Sequence, residues 1–116
     1  GIKRIDDGAG KSLLQMKVRK EMLNGFDIVH GGITYSLADS ALAYASNGHG
    51  RKAVSVETSI SHTEACKEGD VLTTHTEEMS LSRKIGVYQI TITNQHNKTV
   101  ALFKGTVYIT DKNWEI

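Results

Sequence analysis

Proline is absent from this chain of 116 residues, and cysteine occurs once. Without proline no turn is pre-set by a fixed φ, so glycine has to mark turns and element ends. A single cysteine, Cys66, allows no disulfide within the chain, and a reducing compartment is the expected setting. An excess of charge of one sign is lacking too. Fourteen basic residues against 13 acidic ones leave a net +1. That balance offers no nucleic-acid footprint and no polybasic face for a membrane. Long hydrophobic runs are missing: the longest candidate, 33–45, is broken by Thr34, Ser36, Asp39 and Ser40 and is too short to span a bilayer. No signal-peptide pattern opens the chain, so a soluble, cytoplasmic protein is expected. One further absence is local. From 21 to 50 there is no Lys or Arg, although the apolar helix in this stretch carries a carboxylate, Asp39. An unpaired carboxylate among apolar groups is expensive, and such groups persist where polar neighbours satisfy them or where they do chemistry.

The length suits one modest domain, 1–116, and not two. Residues 11–20 place Leu14, Met16 and Val18 in alternation, which suits a strand. Gly31 and Gly32 then open a helix made apolar almost all round by Ile33, Leu37, Ala38, Ala41, Leu42, Tyr44 and Ala45, with Asn47-Gly48 as its stop. The helix is therefore expected to be buried on most sides. A domain this small with so apolar a helix points to an oligomer. Everything after the helix reads as β: 53–65, 71–80, 85–94 and 100–110. Short polar links at 67–70, 82–84 and 95–98 suggest that consecutive strands form an antiparallel meander. One strand, one buried helix and four strands give an α+β fold, with an antiparallel sheet of about five strands wrapped around the helix.

The first amides of a helix have no intrahelical acceptor and carry the positive end of the dipole. Glycines at 31 and 32 leave that backbone open to close approach. The pair reads either as a plain steric start to the helix or as a place where a carbonyl oxygen is polarised. Asp39 reads either as a buried residue bonded to Ser36 or Ser40, or as a functional carboxylate. It lies seven residues beyond Gly32, about 10 Å along the axis. One helix cannot bring both groups to the same carbon. Two antiparallel copies across a dimer axis can, and a symmetric dimer then holds two such sites.

The chain resembles the hot-dog-fold acyl-CoA thioesterases of the phenylacetate-degradation (PaaI) type. The resemblance rests on Leu23-Asn24-Gly25, His30-Gly31-Gly32, Ser36-Leu37-Ala38-Asp39, Ala43-Tyr44-Ala45, Gly86-Val87-Tyr88 and the run KTVALFKG at 98–105. It covers the chain from about 12 to 109. It implies hydrolysis of small, aromatic acyl-CoA thioesters such as phenylacetyl or hydroxyphenylacetyl, with coenzyme A as part of substrate and product. It implies no metal or redox cofactor, a homodimer as the minimum unit and a homotetramer as the assembly. By the same resemblance Asp39 is the catalytic carboxylate, acting as base or nucleophile, and the Gly32 amide polarises the carbonyl. Asn24 holds the water or the carbonyl, His30 orients the reacting groups, and Ser55 assists near the carboxylate. Gly31, Tyr35, Arg83, Lys84 and Tyr88 fall among the substrate and coenzyme A contacts, with Arg51, Lys52 and Lys104 as weaker phosphate candidates. A hot-dog module that binds acyl-CoA without turning it over is the alternative, and a hot-dog hydratase a third.

The chain departs from the family at Phe26, where many relatives have histidine, and at Glu64-Ala65, where many have Arg-Pro. Tyr44 is expected in the core and Cys66 in a structural role. His49, His62, His75 and His96 lack the spacing of a zinc site. Trp114 is expected to pack the chain end on a neighbouring subunit or to be loose.

Overall fold

The computed structural model describes residues 1–113, so Trp114 lies outside the described residues. Six strands and one long helix follow in order: β1 (Ile2–Gly8), β2 (Lys11–Lys17), a short 3-10 turn (Lys20–Met22), α1 (Gly31–Asn47), β3 (Arg51–His62), β4 (Val71–Leu81), β5 (Ile85–Thr93) and β6 (Thr99–Asn113). The strands form one sheet in the order β1-β2-β4-β5-β6-β3, every neighbouring pair antiparallel. α1 lies on one face of this sheet and touches all six strands. This is the wrapped-helix architecture read from the sequence, with two corrections to the sheet.

First, there are six strands, not about five. β1 carries no alternation: six of its seven residues are exposed. Backbone pairing holds it to β2, from Ile2 opposite Met16 to Gly8 opposite Lys11. Second, the meander is broken. β4, β5 and β6 follow one another, but β3 pairs with β6 at the far edge, and β4 pairs with β2. The link 63–70 therefore crosses from the edge strand back to the middle of the sheet.

The core explains the packing. Leu37, Ala38, Ala41, Leu42 and Ala45 line one face of α1 and are buried, at the spacing that puts them on a single stripe. They meet Leu14, Leu72, Tyr88, Ile90, Ile92 and Phe103 from the sheet. Close approach is enforced at Gly105, where an added Cβ would come 2.6 Å from Leu42 Cδ2. Ser12 ties β2 to mid-helix, its hydroxyl donating to the Ala41 carbonyl at 2.7 Å. The expectation of a helix buried on most sides is corrected too. In the protomer Ser36, Ala43 and Tyr44 are exposed, and Asp39 and Ser40 are only half-buried. Tyr44 is not a core residue: it is 39% exposed, with the Arg4 guanidinium 5.2 Å from its ring centre. Its hydroxyl favours a wet position, and the guanidinium covers the ring face. No helix among the described residues is long and apolar enough to cross a membrane.

Candidate active site

The approach to α1 is a tight loop. Asn24 organises it: its Oδ1 accepts from the backbone N–H of Phe26 at 2.8 Å and of Ile28 at 3.3 Å. Asp27 takes a φ of 59° at the turn, a region that Asp tolerates better than most residues. The Asn24 side-chain NH2 has no acceptor among the described residues. Next to it Phe26 is 84% exposed. The Val29 N–H donates to the Cys66 carbonyl at 2.9 Å and the His30 N–H to the Met22 carbonyl at 3.1 Å. These two bonds fix where the helix begins.

His30 is the N-cap, without a side-chain cap bond. Its carbonyl accepts from the Ile33 N–H at 3.0 Å. The amides of Gly31 and Gly32 find no acceptor among the described residues. The two glycines differ in surroundings. A Cβ on Gly31 would lie 3.2 Å from His62 Cε1, whereas one on Gly32 would meet nothing within 4 Å. Gly32 is thus not required by the packing of the protomer. Its N–H sits at the positive end of the helix, exposed and unpaired, which suits an incoming carbonyl oxygen.

Asp39 lies elsewhere in the protomer. It lines a recess of about 100 Å³ with Leu42, Ala43, Ser46, Ala53, Ser55 and Val107. The fold therefore brings Asp39 and Ser55 together, from α1 and β3. His30, Gly31 and Gly32 are consecutive at the helix start, and Asn24 lies in the loop that leads to them. The fold does not join the two groups within one chain, because they are two helical turns apart. No Lys, Arg or His forms an ion pair with Asp39 among the described residues.

The remaining candidates divide. Tyr35 is tied down: its hydroxyl is 2.7 Å from Thr58 Oγ1, and its ring meets Phe103 edge-on at 5.6 Å. Arg83 and Lys84 stand exposed in the β4–β5 turn. Arg51 donates to the Arg83 carbonyl at 2.6 Å, and Asp111 lies 3.8 Å from both guanidinium groups. Tyr88 is corrected. Its side chain is fully buried, and its hydroxyl donates to Glu78 Oε2 at 2.7 Å. Burial first, then the Glu78 contact, push its hydroxyl pKa up. Tyr88 is a core residue with no surface to offer a nucleotide. Its place in the alternation of β5, with Ile90 and Ile92, already carried that signal.

Cys66 is buried. Burial, then the charges of Asp70 and Glu64, push its thiol up to about 11, so it stays protonated and is no nucleophile near neutral pH. Glu64 pairs with Lys98 at 3.1 Å. Two groups escaped the sequence reading. His49 Nε2 lies 2.5 Å from Glu78 Oε2, beside the buried Tyr88 hydroxyl. His62 Nε2 lies 2.7 Å from Thr34 Oγ1 and walls a cavity of about 370 Å³ next to Gly31. Both contacts join residues 28 or 29 positions apart, where no local pattern reports them.

The thioesterase superfamily matches residues 26–101. A putative esterase of Archaeoglobus fulgidus is 44% identical over 99 residues, 85% of this chain and 64% of that protein. The chain thus spans just under two thirds of that relative. Acyl-coenzyme A thioesterase PaaI of Escherichia coli K12 is 42% identical over 105 residues, 90% of this chain and 75% of that one. The solved structure of the E. coli PaaI protein, from the phenylacetic acid degradation operon, matches with a TM-score of 0.95 at 39% identity, covering 97% of this chain and 82% of that one. A Streptococcus mutans protein solved bound to acetyl CoA matches with a TM-score of 0.93 at 26% identity, covering 98% and 92%. With the helix laid on one face of an antiparallel sheet and the glycine pair at its start, the chain belongs to the thioesterase superfamily, as a hot-dog thioesterase of the PaaI type.

Proposed function

We propose that the protein hydrolyses acyl-CoA thioesters of small aromatic acids, phenylacetyl or hydroxyphenylacetyl in type, to the free acid and coenzyme A. The observation that carries this reading is the exposed Gly32 amide, unpaired at the start of α1 with open space where a side chain would be. The thioester oxygen docks on that amide. Asp39 of the other subunit takes a proton from water as the water oxygen bonds to the carbonyl carbon. The tetrahedral oxyanion rests on the Gly32 N–H, and its collapse breaks the C–S bond and releases the thiol of coenzyme A. In the nucleophilic version Asp39 itself bonds to the carbonyl carbon, the C–S bond breaks and coenzyme A leaves as thiolate, and water then opens the mixed anhydride to give the free acid and restore Asp39. A thioester is electrophilic enough that a base and an oxyanion donor suffice. No metal or redox cofactor enters either route.

Asn24, in the loop before the helix, and His30, at its N-cap, hold water or substrate for the amide. Ser55 supports Asp39 in their shared recess. Arg83 and Lys84, with Arg51, attract the phosphates of coenzyme A. The minimum unit is a homodimer with two sites, and the assembly is a homotetramer. The support for a shared site is the gap of about 10 Å between Gly32 and Asp39 on one rigid helix. The cytoplasm is the proposed working place.

The test is release of free coenzyme A from a panel of acyl-CoA thioesters. Aryl-acetyl thioesters are expected to lead the panel. Asp39→Asn should reduce kcat by about 10²–10⁴-fold, the usual contribution of a positioned base. Undiminished turnover in that variant overturns the mechanism, and a wild-type protein that binds acyl-CoA without releasing coenzyme A overturns the activity.

A further inference from the structure

Gly31 and Gly32, the first two residues of α1, have no Cβ to restrict their backbone. A donor amide on such a backbone stabilises an oxyanion only if something outside the glycines aims it. Two residues, Thr34 in α1 and His62 in β3, supply that constraint. Thr34 Oγ1 donates to the Gly31 carbonyl at 3.0 Å. His62 Nε2 lies 2.7 Å from the same Thr34 oxygen. The edge of the His62 ring closes on Gly31, where a Cβ would stand 3.2 Å from Cε1.

The Gly31 carbonyl and the Gly32 N–H belong to one peptide plane. Fixing the carbonyl therefore fixes the direction of the N–H on the opposite side. With the Thr34 proton on the Gly31 carbonyl, His62 Nε2 is the donor to Thr34, which sets the ring's tautomer. A donor behind Thr34 strengthens its hold on the carbonyl, and the polarised peptide becomes a better N–H donor at Gly32. Thr34 is buried at 3% exposure, so the middle of this chain is held inside the fold, while His62 and Gly31 at its two ends are exposed in the protomer. His62 is anchored in turn: it ends β3, opposite Ala101 in β6, and the next residue donates its N–H to the Val100 carbonyl at 2.9 Å.

We infer that His62 is a positioning residue: acting through Thr34, it orients the peptide that presents the Gly32 amide to the thioester carbonyl. The inference rests on the proposed hydrolysis at Gly32. His62 touches neither the carbonyl nor the water. Its loss lowers the rate of the chemical step and leaves substrate binding nearly as it was.

Four variants test this: His62→Phe, which keeps a ring against Gly31 but no donor; His62→Gln, which restores an N–H donor; Thr34→Val, which keeps the shape without the hydroxyl; and the His62→Phe/Thr34→Val double. Steady-state kinetics on an acyl-CoA that the wild type hydrolyses are read beside the unfolding temperature and the NMR order parameter of the Gly32 amide. We expect His62→Phe to lose roughly tenfold or more in kcat, as small misplacements do, with KM within about threefold. His62→Gln should recover most of the loss, and the double variant should be no slower than Thr34→Val alone. The Gly32 order parameter should fall in His62→Phe and recover in His62→Gln. A higher KM at unchanged kcat, full additivity in the double, or an unchanged Gly32 order parameter would each overturn the inference. The order parameter separates the two failures. If the wild type releases no coenzyme A, the proposed hydrolysis fails while the brace on Gly32 is still read.

Discussion

At its C-terminal end α1 is closed by its own side chains and tied to the strands beside it. The Ser46 hydroxyl donates to the Leu42 carbonyl at 2.8 Å and the Asn47 amide to the Ala43 carbonyl at 2.9 Å. Asn47 Oδ1 accepts from the Ala53 N–H at 2.9 Å, and the Ala45 carbonyl accepts from the Gly10 N–H at 3.0 Å. Gly48 sits so close to β1 that an added Cβ would fall 2.1 Å from the Gly8 carbonyl oxygen. At its N-terminal end the same helix leaves two amides unpaired, and Gly32 faces open space. The glycines at the two ends thus have opposite reasons. Gly48 is small because the protomer fills the space beside it. Gly32 is small although the protomer leaves that space empty, and the proposed docking of a thioester on its amide would supply the reason.

The contrast can be broken from either side. The largest expected effect is on activity. Gly32→Pro removes the amide donor at a position in the first helical turn that proline tolerates. Its kcat should fall by about 10²–10³-fold, the usual loss for one oxyanion donor, while far-ultraviolet circular dichroism and the urea midpoint stay near wild type. A fully active, folded Gly32→Pro protein would remove the oxyanion assignment. Next comes Gly48→Ala. Forcing a methyl into the Gly8 carbonyl should destabilise the protein by about 1–3 kcal/mol, read as a lower urea midpoint at unchanged slope. The activity remaining at low temperature should be close to normal. Equal stability losses at both ends would erase the distinction between the two glycines.

The smallest effect concerns the anchor just past the C-terminal end. Burial pushes the Glu78 carboxyl up, but hydrogen bonds from His49 and Tyr88, with the His49 charge, outweigh it, and the group sits below the usual glutamate range. In the unfolded chain those partners are gone, so the unfolded state takes up the proton at higher pH. The stabilisation is therefore complete above the ordinary glutamate range and is lost as the pH falls through the lowered folded value. Glu78 is 26% exposed in its side chain, so the effect should be at most about 1 kcal/mol. In urea titrations across acid pH, Glu78→Gln should flatten that part of the stability curve. An unaltered acid limb would show that the contact contributes nothing.

How legible this was in the sequence depended on whether the signal was local. α1 was readable from end to end because glycine, the apolar stripe and Asn47-Gly48 all lie on one segment. β5 and β6 were readable because their alternation puts Tyr88, Ile90, Ile92 and then Ala101, Phe103 and Val107 inward. β1 was not, because its hold on the sheet is made by backbone bonds and its side chains face solvent. The place of β3 beside β6 was not, because polar links look the same whether the next strand lies beside the last one or across the sheet. The glycine pair and Asp39 stood out by composition alone, and the resemblance added Asn24, His30 and Ser55. Tyr44 was misread because an apolar helix face says nothing about what covers it in one protomer. The Thr34–His62 contact was invisible because the two residues meet only after β3 has folded back against the start of α1.

The central claim is that each site takes Gly32 from one chain and Asp39 from another. The most direct measurement mixes Gly32→Pro and Asp39→Asn subunits carrying different affinity tags, purifies the doubly tagged heterodimer, and measures release of coenzyme A. In a shared-site dimer one of the two sites then joins an intact Gly32 to an intact Asp39. The account predicts about half the wild-type kcat per heterodimer, although each parent alone is nearly inactive. A stable, verified heterodimer as inactive as its parents would contradict it.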